Sequence, residues 1–268
     1  MMDISPERKA YLLKVRRRKY TVTALRIGIL LLILAVWELL ARLGVIDDFV
    51  MSSPSRMIKT MINVGESNLF YHIGITCLET VTGFAAGSCA GILAAVLLWW
   101  NETVYSVSEP YLVVLNSLPK IALGPVIIIW VGAGKQAIIV MALAISLIVT
   151  VLEVLSGFAS SDMKKIRMAQ SFGADKKTVF TKIVFPANLP TVFNSLKVGI
   201  GLSLVGVIAG EFLVSKGGLG YLIVYGGQVF KMDLVMASVV ILSVMAFLMY
   251  KCVIAAERLV LKKRGHRQ

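Results

Sequence analysis

The chain has 268 residues, of which 57% are hydrophobic, and it carries a formal net charge of +13. Its mean hydropathy of +0.82 is far above that of a soluble domain, in which roughly 45–50% of residues are apolar. These values exclude a water-soluble globular domain. Because the hydrocarbon core offers no water to backbone polar groups, spanning segments must be helices or closed barrels, and runs of about 20 apolar residues have helix length. The composition therefore predicts an all-α polytopic membrane protein.

Six long apolar windows follow one another along the chain. They run over Thr21–Leu43, Ile73–Trp100, Val107–Val131, Gln136–Ser156, Thr191–Val214 and Leu234–Ala255. We predict that each window is one transmembrane helix, the third being the least regular. On this basis, residues 1–20 form a basic N-terminal segment, residues 21–257 a single transmembrane domain and residues 258–268 a basic tail.

Lysine and arginine are distributed unevenly over the segments between these windows. Residues 1–20 hold seven, residues 157–190 hold six and residues 258–268 hold five, against five in the remaining loops. Because cytoplasmic loops are enriched in these residues, both termini and the 157–190 segment are predicted to lie in the cytoplasm. The positive charge is thereby explained by topology and by anionic membrane lipid, and no nucleic-acid partner is expected.

Residues suited to catalysis or metal binding are sparse. Cys77, Cys89 and Cys252 lie within or beside apolar runs, and their odd number predicts no disulfide framework. His72 and His266 stand apart from other ligands at metal-binding spacing, so no metal site is expected. Neither a phosphate-binding loop nor a hydrolase motif is recognisable, and we expect this chain neither to be an enzyme nor to bind a cofactor.

The cytoplasmic segment is predicted to form two short helices, in a loop over residues 162–190. Ser161 or Asp162 is positioned as the N-cap of the first helix, and Gly173 ends it. Asp175 is positioned to cap the second helix, and Pro186 ends it. The pair presents an apolar stripe flanked by positive charge. Periodicity alone leaves two interpretations open, a protein-docking element and an amphipathic pair lying on anionic headgroups.

The spacing within this loop is specific. Ala169 and Gly173 are followed, after nine residues, by Ile183-Val184-Phe185-Pro186. This pattern resembles the EAA motif of permease subunits of ATP-binding-cassette importers, in which Glu-Ala-Ala is followed by Gly and then by Ile-x-Leu-Pro. The resemblance implies a helix that docks in a groove on a cytoplasmic ATPase subunit. The residues expected to couple to the ATPase are Arg167, Ala169, Gly173, Ala174, Ile183, Phe185 and Pro186.

The loop departs from the motif at three positions. Arg167 stands in place of Glu, Met168 in place of the first Ala, and Phe185 in place of Leu. Phenylalanine preserves apolar bulk, but arginine reverses a charge that in the family can pair with the ATPase. We therefore predict that an acidic residue of the partner ATPase faces Arg167.

Other segments extend the resemblance from about Met51 to Lys263. They are Ser53-Pro54-Ser55, Leu118 to Pro125, Trp130-Val131-Gly132, Gly210-Glu211 and Gly218-Leu219-Gly220-Tyr221. They look like the importer branch for nitrate, sulfonates, taurine and thiamine precursors. The resemblance implies a prokaryotic cytoplasmic-membrane permease with a type I importer fold, whose pathway is formed with a second permease copy. It also implies an extracytoplasmic solute-binding protein, and ATP with Mg²⁺ used by the partner ATPase rather than by this chain.

Small residues form two stripes at helical spacing. Gly83, Gly87 and Gly91 repeat every four residues in the second window, and Gly199, Gly206 and Gly210 share one face of the fifth. Small residues let the backbones of neighbouring membrane helices approach closely, so both stripes predict helix packing. A gate that slides along these faces is compatible with that interpretation.

Five residues are candidates for the pathway or its gate. Pro119 and Pro125 should break the third window, and such backbone at membrane depth is tolerated where it lines a cavity. Lys120 in this break and Lys197 in the fifth window either favour an anionic solute or extend to the headgroups. Glu211, at the end of the fifth window, either caps the gate or is solvated at the interface.

Two other function classes remain open at this point. A secondary transporter or channel would typically show inverted repeats or several buried carboxylates for ion coupling. A membrane scaffold would have no need of the broken third window. The expected solute is a small organic or inorganic anion such as a sulfonate or nitrate, or a thiamine-precursor-like compound.

Overall fold

The structure, a computed structural model, describes residues 6–45, 52–65 and 68–265, and all regular structure in these ranges is helical. The first helices are α1 (Pro6–Arg42), α2 (Pro54–Gly65), α3 (Leu69–Trp100), α4 (Glu102–Ser117), α5 (Gly124–Val131) and α6 (Lys135–Ala159). They are followed by α7 (Met163–Ser171), α8 (Lys176–Val179), α9 (Phe185–Ala187), α10 (Leu189–Val214), α11 (Leu219–Gln228) and α12 (Met232–Gly265). A 3₁₀ turn, Lys120–Leu123, precedes α5, and a π turn, Phe180–Val184, joins α8 to α9. The predicted all-α fold is confirmed.

Five of the described helices are long and apolar enough to cross a membrane: α1, α3, α6, α10 and α12. A sixth crossing is available if α4 and α5 act as one span, broken by a bend of 86°. All six predicted windows therefore correspond to helices. The outermost helices are longer than predicted, because α1 begins at Pro6 and α12 continues to Gly265, so the described parts of the basic end segments are helical. Lysine and arginine are good helix formers, and these segments contain no interior proline. Residues 1–5 and 266–268 of those segments lie outside the described ranges.

Helices α3, α6 and α10 form the centre of the bundle, and α3 contacts α6 through one glycine stripe. A Cβ atom added at Gly83 would lie 2.5 Å from the Cβ of Ala142, and one at Gly91 would lie 2.8 Å from the Cβ of Thr150. At Gly87 it would lie 3.0 Å from a backbone carbonyl of α6. The three glycines thus set the close approach of these two helices.

The second stripe packs α10 against the same helix. Added Cβ atoms at Gly206 and Gly210 would lie 2.8 Å and 3.1 Å from the Cα atoms of Ala142 and Ile138. Gly199 differs, because its added Cβ would be 3.5 Å from the ring of Phe84, an ordinary contact distance. The close approach of α10 to α6 is therefore made at Gly206 and Gly210.

Two short helices were not predicted, since both are below the length of a membrane span. Helix α2 is amphipathic and is linked to α1, where Glu38 accepts hydrogen bonds from the N–H and hydroxyl of Ser55 at 3.0 and 2.9 Å. Glu38 also forms an ion pair with Arg42 at 2.8 Å. The hydroxyl of Ser52, just before α2, donates to Asp233 of α12 at 2.7 Å. Helix α11 lies beside α12 and α3, at the same end of the bundle as α2. The end that carries residues 160–188 is called the loop end, and the end that carries α2 and α11 is called the opposite end.

Candidate functional site

The loop between α6 and α10 contains the predicted helix, break and helix. Asp162 is the N-cap of α7, and its carboxylate accepts the N–H of Lys164 at 2.9 Å. Gly173 follows α7 with φ of +82°, a conformation that favours glycine. Asp175 accepts the N–H of Thr178 at 3.1 Å and caps α8. Hydrogen bonds from the side chain and then the backbone of Thr178 lower the pKa of Asp175 below its ordinary value, so the cap is charged at neutral pH.

The prediction that Pro186 ends the second helix is wrong. The helical segment continues from α8 through the π turn into α9, and Asn188 is its C-cap. Pro186 is tolerated because it lies just after the π turn, which interrupts the regular α-helical hydrogen-bond ladder at this point. The Nδ2 of Asn188 donates to the carbonyl of Val184 at 2.9 Å and to the hydroxyl of Ser161 at 2.8 Å. The π turn also places Val184 in the core, five residues after Val179, and leaves Ile183 only half-buried.

The second half of the loop is packed onto the ends of α3 and α6. The ring centroid of Phe180 lies 5.0 Å from that of Trp99 and 5.5 Å from that of Phe158. The Nζ of Lys176 donates to the terminal carbonyl of Trp100 at 2.8 Å and lies 5.6 Å from the Trp99 ring centroid. A cation at a helix C-terminus is stabilised by the helix dipole. This half of the loop is therefore fixed to the ends of α3 and α6 by packing and by a hydrogen bond.

The first half of the loop presents an exposed surface. Met168 is 58% exposed and Phe172 is 84% exposed. Lys164, Lys165 and Arg167 are also exposed on α7. An exposed aromatic side chain beside a flexible methionine and three cations is typical of a surface that a partner covers. We call these five residues the docking surface.

The predicted coupling residues are divided between this surface and the bundle. Arg167 is on the docking surface and Gly173 is exposed beside it. Ala169, Ala174 and Phe185 pack against the core at the loop end, while Ile183 and Pro186 are half-buried. Met168 and Phe172 were not among the predicted site residues, although two apolar side chains in a polar stretch ending at glycine are a usable signal.

The third span breaks at Pro119. The 86° bend separates α4 from the 3₁₀ turn, whereas Pro125 lies in the first turn of α5, where proline is favoured. Lys120 is half-buried, and its Nζ donates to the carbonyl and side-chain oxygens of Asn116 at 2.8 and 3.1 Å. It thus binds a carbonyl freed at the end of α4.

An apolar cavity of about 640 Å³ lies between the broken span, α10 and α12. Its lining consists of Ile121, Ala122, Pro125, Leu204, Val205, Ile208, Ala209, Phe212, Leu213 and Leu242. Lys120 and Lys197 are not among the lining residues. The cavity therefore offers shape and apolar surface rather than charge.

Lys197 forms an ion pair with Glu257 of α12, with its Nζ 2.8 and 2.9 Å from the two carboxylate oxygens. Both side chains are only about one-fifth exposed. This charge is therefore neutralised inside the bundle. The pairing spans 60 residues of sequence, and nothing local in the sequence indicates it.

Glu211 is 1% exposed rather than solvated. Its Oε1 accepts the hydroxyl of Thr76 at 2.6 Å, and its Oε2 accepts the N–H of Gly220 at 2.5 Å. Gly218 also contacts the carboxylate so closely that no Cβ would fit. Glu211 therefore caps the N-terminus of α11, where an anion is favoured by the helix dipole and by unpaired N–H groups.

Two side chains of α3 complete this cap. The Nδ1 of His72 accepts the N–H of Gly218 at 3.0 Å, and the hydroxyl oxygen of Thr76 accepts the N–H of Leu219 at 2.8 Å. The ring of His72 stacks on Tyr221 with 5.9 Å between centroids. We call His72, Thr76 and Glu211 the α11 clamp, since they bind three successive N–H groups at the opposite end. The sequence around His72 predicts no metal site and gives no indication of this cap.

Within the described ranges, no three His, Cys, Asp or Glu side chains come together in a group able to hold a metal ion. The two ends of the bundle thus carry different structural features. The loop end offers a docking surface attached to α3 and α6, and the opposite end offers a clamp on α11 beside an apolar cavity.

Comparison with known proteins identifies relatives over most of the chain. A probable ABC transporter permease protein of Haemophilus influenzae is 27% identical over 84% of this chain and 90% of its own length. The formylaminopyrimidine transport permease protein ThiX of Halalkalibacterium halodurans is 26% identical over 87% and 93%. The taurine transport system permease protein TauC of Escherichia coli is 24% identical over 84% of both chains.

A solved structure and a family model agree with these relatives. The inward-facing MetNI methionine ABC transporter matches with a TM-score of 0.64 at 20% identity, over 72% of this chain and 95% of the other. This match shows the shared type I importer fold. Residues 87–265 match the model of the binding-protein-dependent transport system inner membrane component. The match covers about two thirds of the chain, which therefore belongs to the family of binding-protein-dependent transport system inner membrane components.

Proposed function

We propose that two copies of this permease form the pathway of an ATP-driven solute importer, and that the loop of residues 162–190 couples it to cytoplasmic ATPase subunits. The observation that carries the proposal is the docking surface. Phe172 and Met168 are exposed among cations on α7, while the other half of the same loop is fixed to α3 and α6. Membership of this family argues against a secondary transporter or a scaffold.

The loop end is assigned to the cytoplasm. The positive-inside distribution of lysine and arginine supports this orientation for the loop and for both termini, and the family is one of inner membrane components. An extracytoplasmic solute-binding protein then meets the opposite end, next to the α11 clamp. The ATPase subunits meet Met168 and Phe172, with an acidic residue facing Arg167.

The packing described above offers a route for coupling. Movement of the docking surface is passed to α3 through Lys176 and Trp100, and to α6 through Phe180 and Phe158. The glycine contacts make α3, α6 and α10 one closely packed unit. At the far end of that unit, the clamp ties α11 to α3 and α10. ATP hydrolysis in the partner supplies the energy, and this chain converts loop movement into exposure of its cavity on alternate sides of the membrane.

The solute is proposed to be a small organic or inorganic anion, such as a sulfonate or nitrate, or a thiamine-precursor-like compound. The names of the relatives, a taurine and a formylaminopyrimidine permease, support this class. The cavity lining is apolar, so we assign most of the selectivity to the binding protein.

Phe172→Ala tests the proposal directly. The variant should recover less ATPase subunit when the tagged permease is purified from native membranes in mild detergent, because an exposed aromatic anchor is lost. Its solute-stimulated ATP hydrolysis should fall about tenfold, which corresponds to roughly 1.4 kcal/mol.

Phe70→Ala is the matched control for complex recovery, since Phe70 is 81% exposed at the opposite end, and it should leave the amount of co-purified ATPase subunit unchanged. Purification of the wild-type chain alone, under conditions that preserve related complexes, would favour a transporter or scaffold without an ATPase. Loss of contact between the loop and the membrane surface in Phe172→Ala, with ATPase recovery unchanged, would favour the interpretation of the loop as an amphipathic pair on the headgroups.

A further inference from the structure

A second carboxylate is buried beside the α11 clamp and has no role in the mechanism so far. Glu79 lies on α3, one turn from Thr76, and is 0% exposed. Neither of its carboxylate oxygens has a hydrogen-bond partner. Glu211 lies close enough for the two carboxyl groups to interact through their side chains.

The groups around Glu79 do not supply a compensating ion pair. Lys135, at the start of α6, acts on Glu79 only through its field, without a hydrogen bond to it. On α3, His72 accepts an N–H at Nδ1, so that nitrogen carries no proton and the ring is neutral. On α11, Tyr221 is occupied in ring stacking with His72.

The two carboxylates differ in the hydrogen bonds that they accept. Both oxygens of Glu211 receive donors, from Thr76 and from the N-terminus of α11, which stabilises an anion. Glu79 receives none. Two neighbouring carboxylates out of water cannot both be ionised without a compensating charge, so the pair must bind a proton or another cation.

A proton satisfies this site better than a metal ion. A bound metal needs several oxygen ligands, but the hydroxyl of Thr76 already donates to Glu211 and accepts from Leu219. The hydroxyl of Thr80 donates to the carbonyl of Thr76. We propose that Glu79 and Glu211 form a proton-binding site, with the proton on Glu79 and its O–H donating to Glu211.

This site holds α3 to the base of α11 at the end opposite the docking surface. A conformational change that moves α11 away from α3, and so breaks the bonds from Gly218 to His72 and from Leu219 to Thr76, hydrates Glu79, and the acid then releases its proton to water. Closure recovers one proton. The α11 clamp is thereby linked to proton exchange on its own side of the membrane.

Infrared difference spectroscopy of the full-length permease in lipid nanodiscs, comparing wild type with Glu79→Gln, tests the proposal. At neutral pH the wild-type spectrum should contain a protonated carboxylic acid band that shifts slowly in D₂O and is lost in Glu79→Gln. The band should persist in Glu153→Gln, which removes a partly buried acid of α6, and in Glu257→Gln, which removes an ion-paired acid of α12.

Identical wild-type and Glu79→Gln spectra would overturn the proposal. If Glu79→Gln does not fold, absence of any acid band from Glu153→Gln at neutral pH would overturn it as well. Stabilisation of wild type by Na⁺ or Ca²⁺ after chelation, measured as a higher melting temperature and lost in Glu79→Gln, would identify a metal ion as the ligand and overturn the proton assignment.

Discussion

At the scale of single residues, glycines decide where charge can be buried in this bundle. Glu211 is enclosed only because the chain that faces it, Gly218 to Gly220, has no side chain at either end to fill the same space. The carboxylate can then accept N–H groups directly. In this fold, glycines that follow a glutamate therefore allow that glutamate to cap the next helix.

Gly220→Ala should destabilise the protein by about 1–3 kcal/mol, because the new methyl overfills a packed site. Its Cβ would lie 2.7 Å from Oε2 of Glu211. Thermal unfolding in detergent measures the effect. Gly227→Ala on the same helix is the control, since a Cβ there meets nothing within 4 Å and should change stability by no more than about 0.5 kcal/mol. Equal melting temperatures for the two variants would show that the cap does not depend on this contact.

At the scale of helices, the central packing depends on backbone approach. Glycine stripes let α3 and α10 both approach α6 closely, and Ala142 of α6 lies against Gly83 of one stripe and Gly206 of the other. Lipid-exposed helices such as α1 lack such contacts and remain largely exposed within this chain. The arrangement leaves the outer helices free for lipid or for a second copy.

Gly206→Ala should weaken the contact between α10 and α6 by about 1–3 kcal/mol. The added Cβ would lie 2.8 Å from the Cα of Ala142, a backbone atom that cannot move without shifting α6. Gly201→Ala, on the same helix but facing open space, provides the comparison and should melt like wild type. The contact would be shown to be adaptable if Gly206→Ala matched Gly201→Ala in melting temperature and in solute uptake.

The helices were predictable from sequence and the clamp was not, for one physical reason. Apolar windows and small-residue stripes are local patterns, and they located α3, α6 and α10 to within a few residues. The bonds from Gly218 to His72 and from Leu219 to Thr76 join residues 146 and 143 positions apart. The π turn likewise has no local signature, and it moved Val184 rather than Ile183 into the core. Only the assembled bundle reveals these features.

At the scale of the whole molecule, the two functional ends are joined by one packed unit. Met168 and Phe172 lie at one end, and the α11 clamp lies at the other, with α3, α6 and α10 between them. Because packed cores respond as units rather than deforming continuously, movement of the loop is expected to reach the clamp with little loss. In the proposed mechanism, coupling to an ATPase then depends on the contact that α7 makes outside this chain.

That contact is where the charge of Arg167 should matter. Arg167→Glu should lower solute-stimulated ATP hydrolysis by the assembled importer about tenfold, because a close interfacial charge pair contributes on the order of 1.5 kcal/mol or more. Lys182→Glu is the control, since Lys182 is also exposed in the loop, lies outside the docking surface and makes the same change in net charge. An equal loss in both variants would point to general repulsion instead of a pair, and undiminished activity of Arg167→Glu would refute the acidic partner. Recovery of activity by reversing one acidic residue of the ATPase would identify that partner, because only a direct pair regains its attraction when both charges are exchanged.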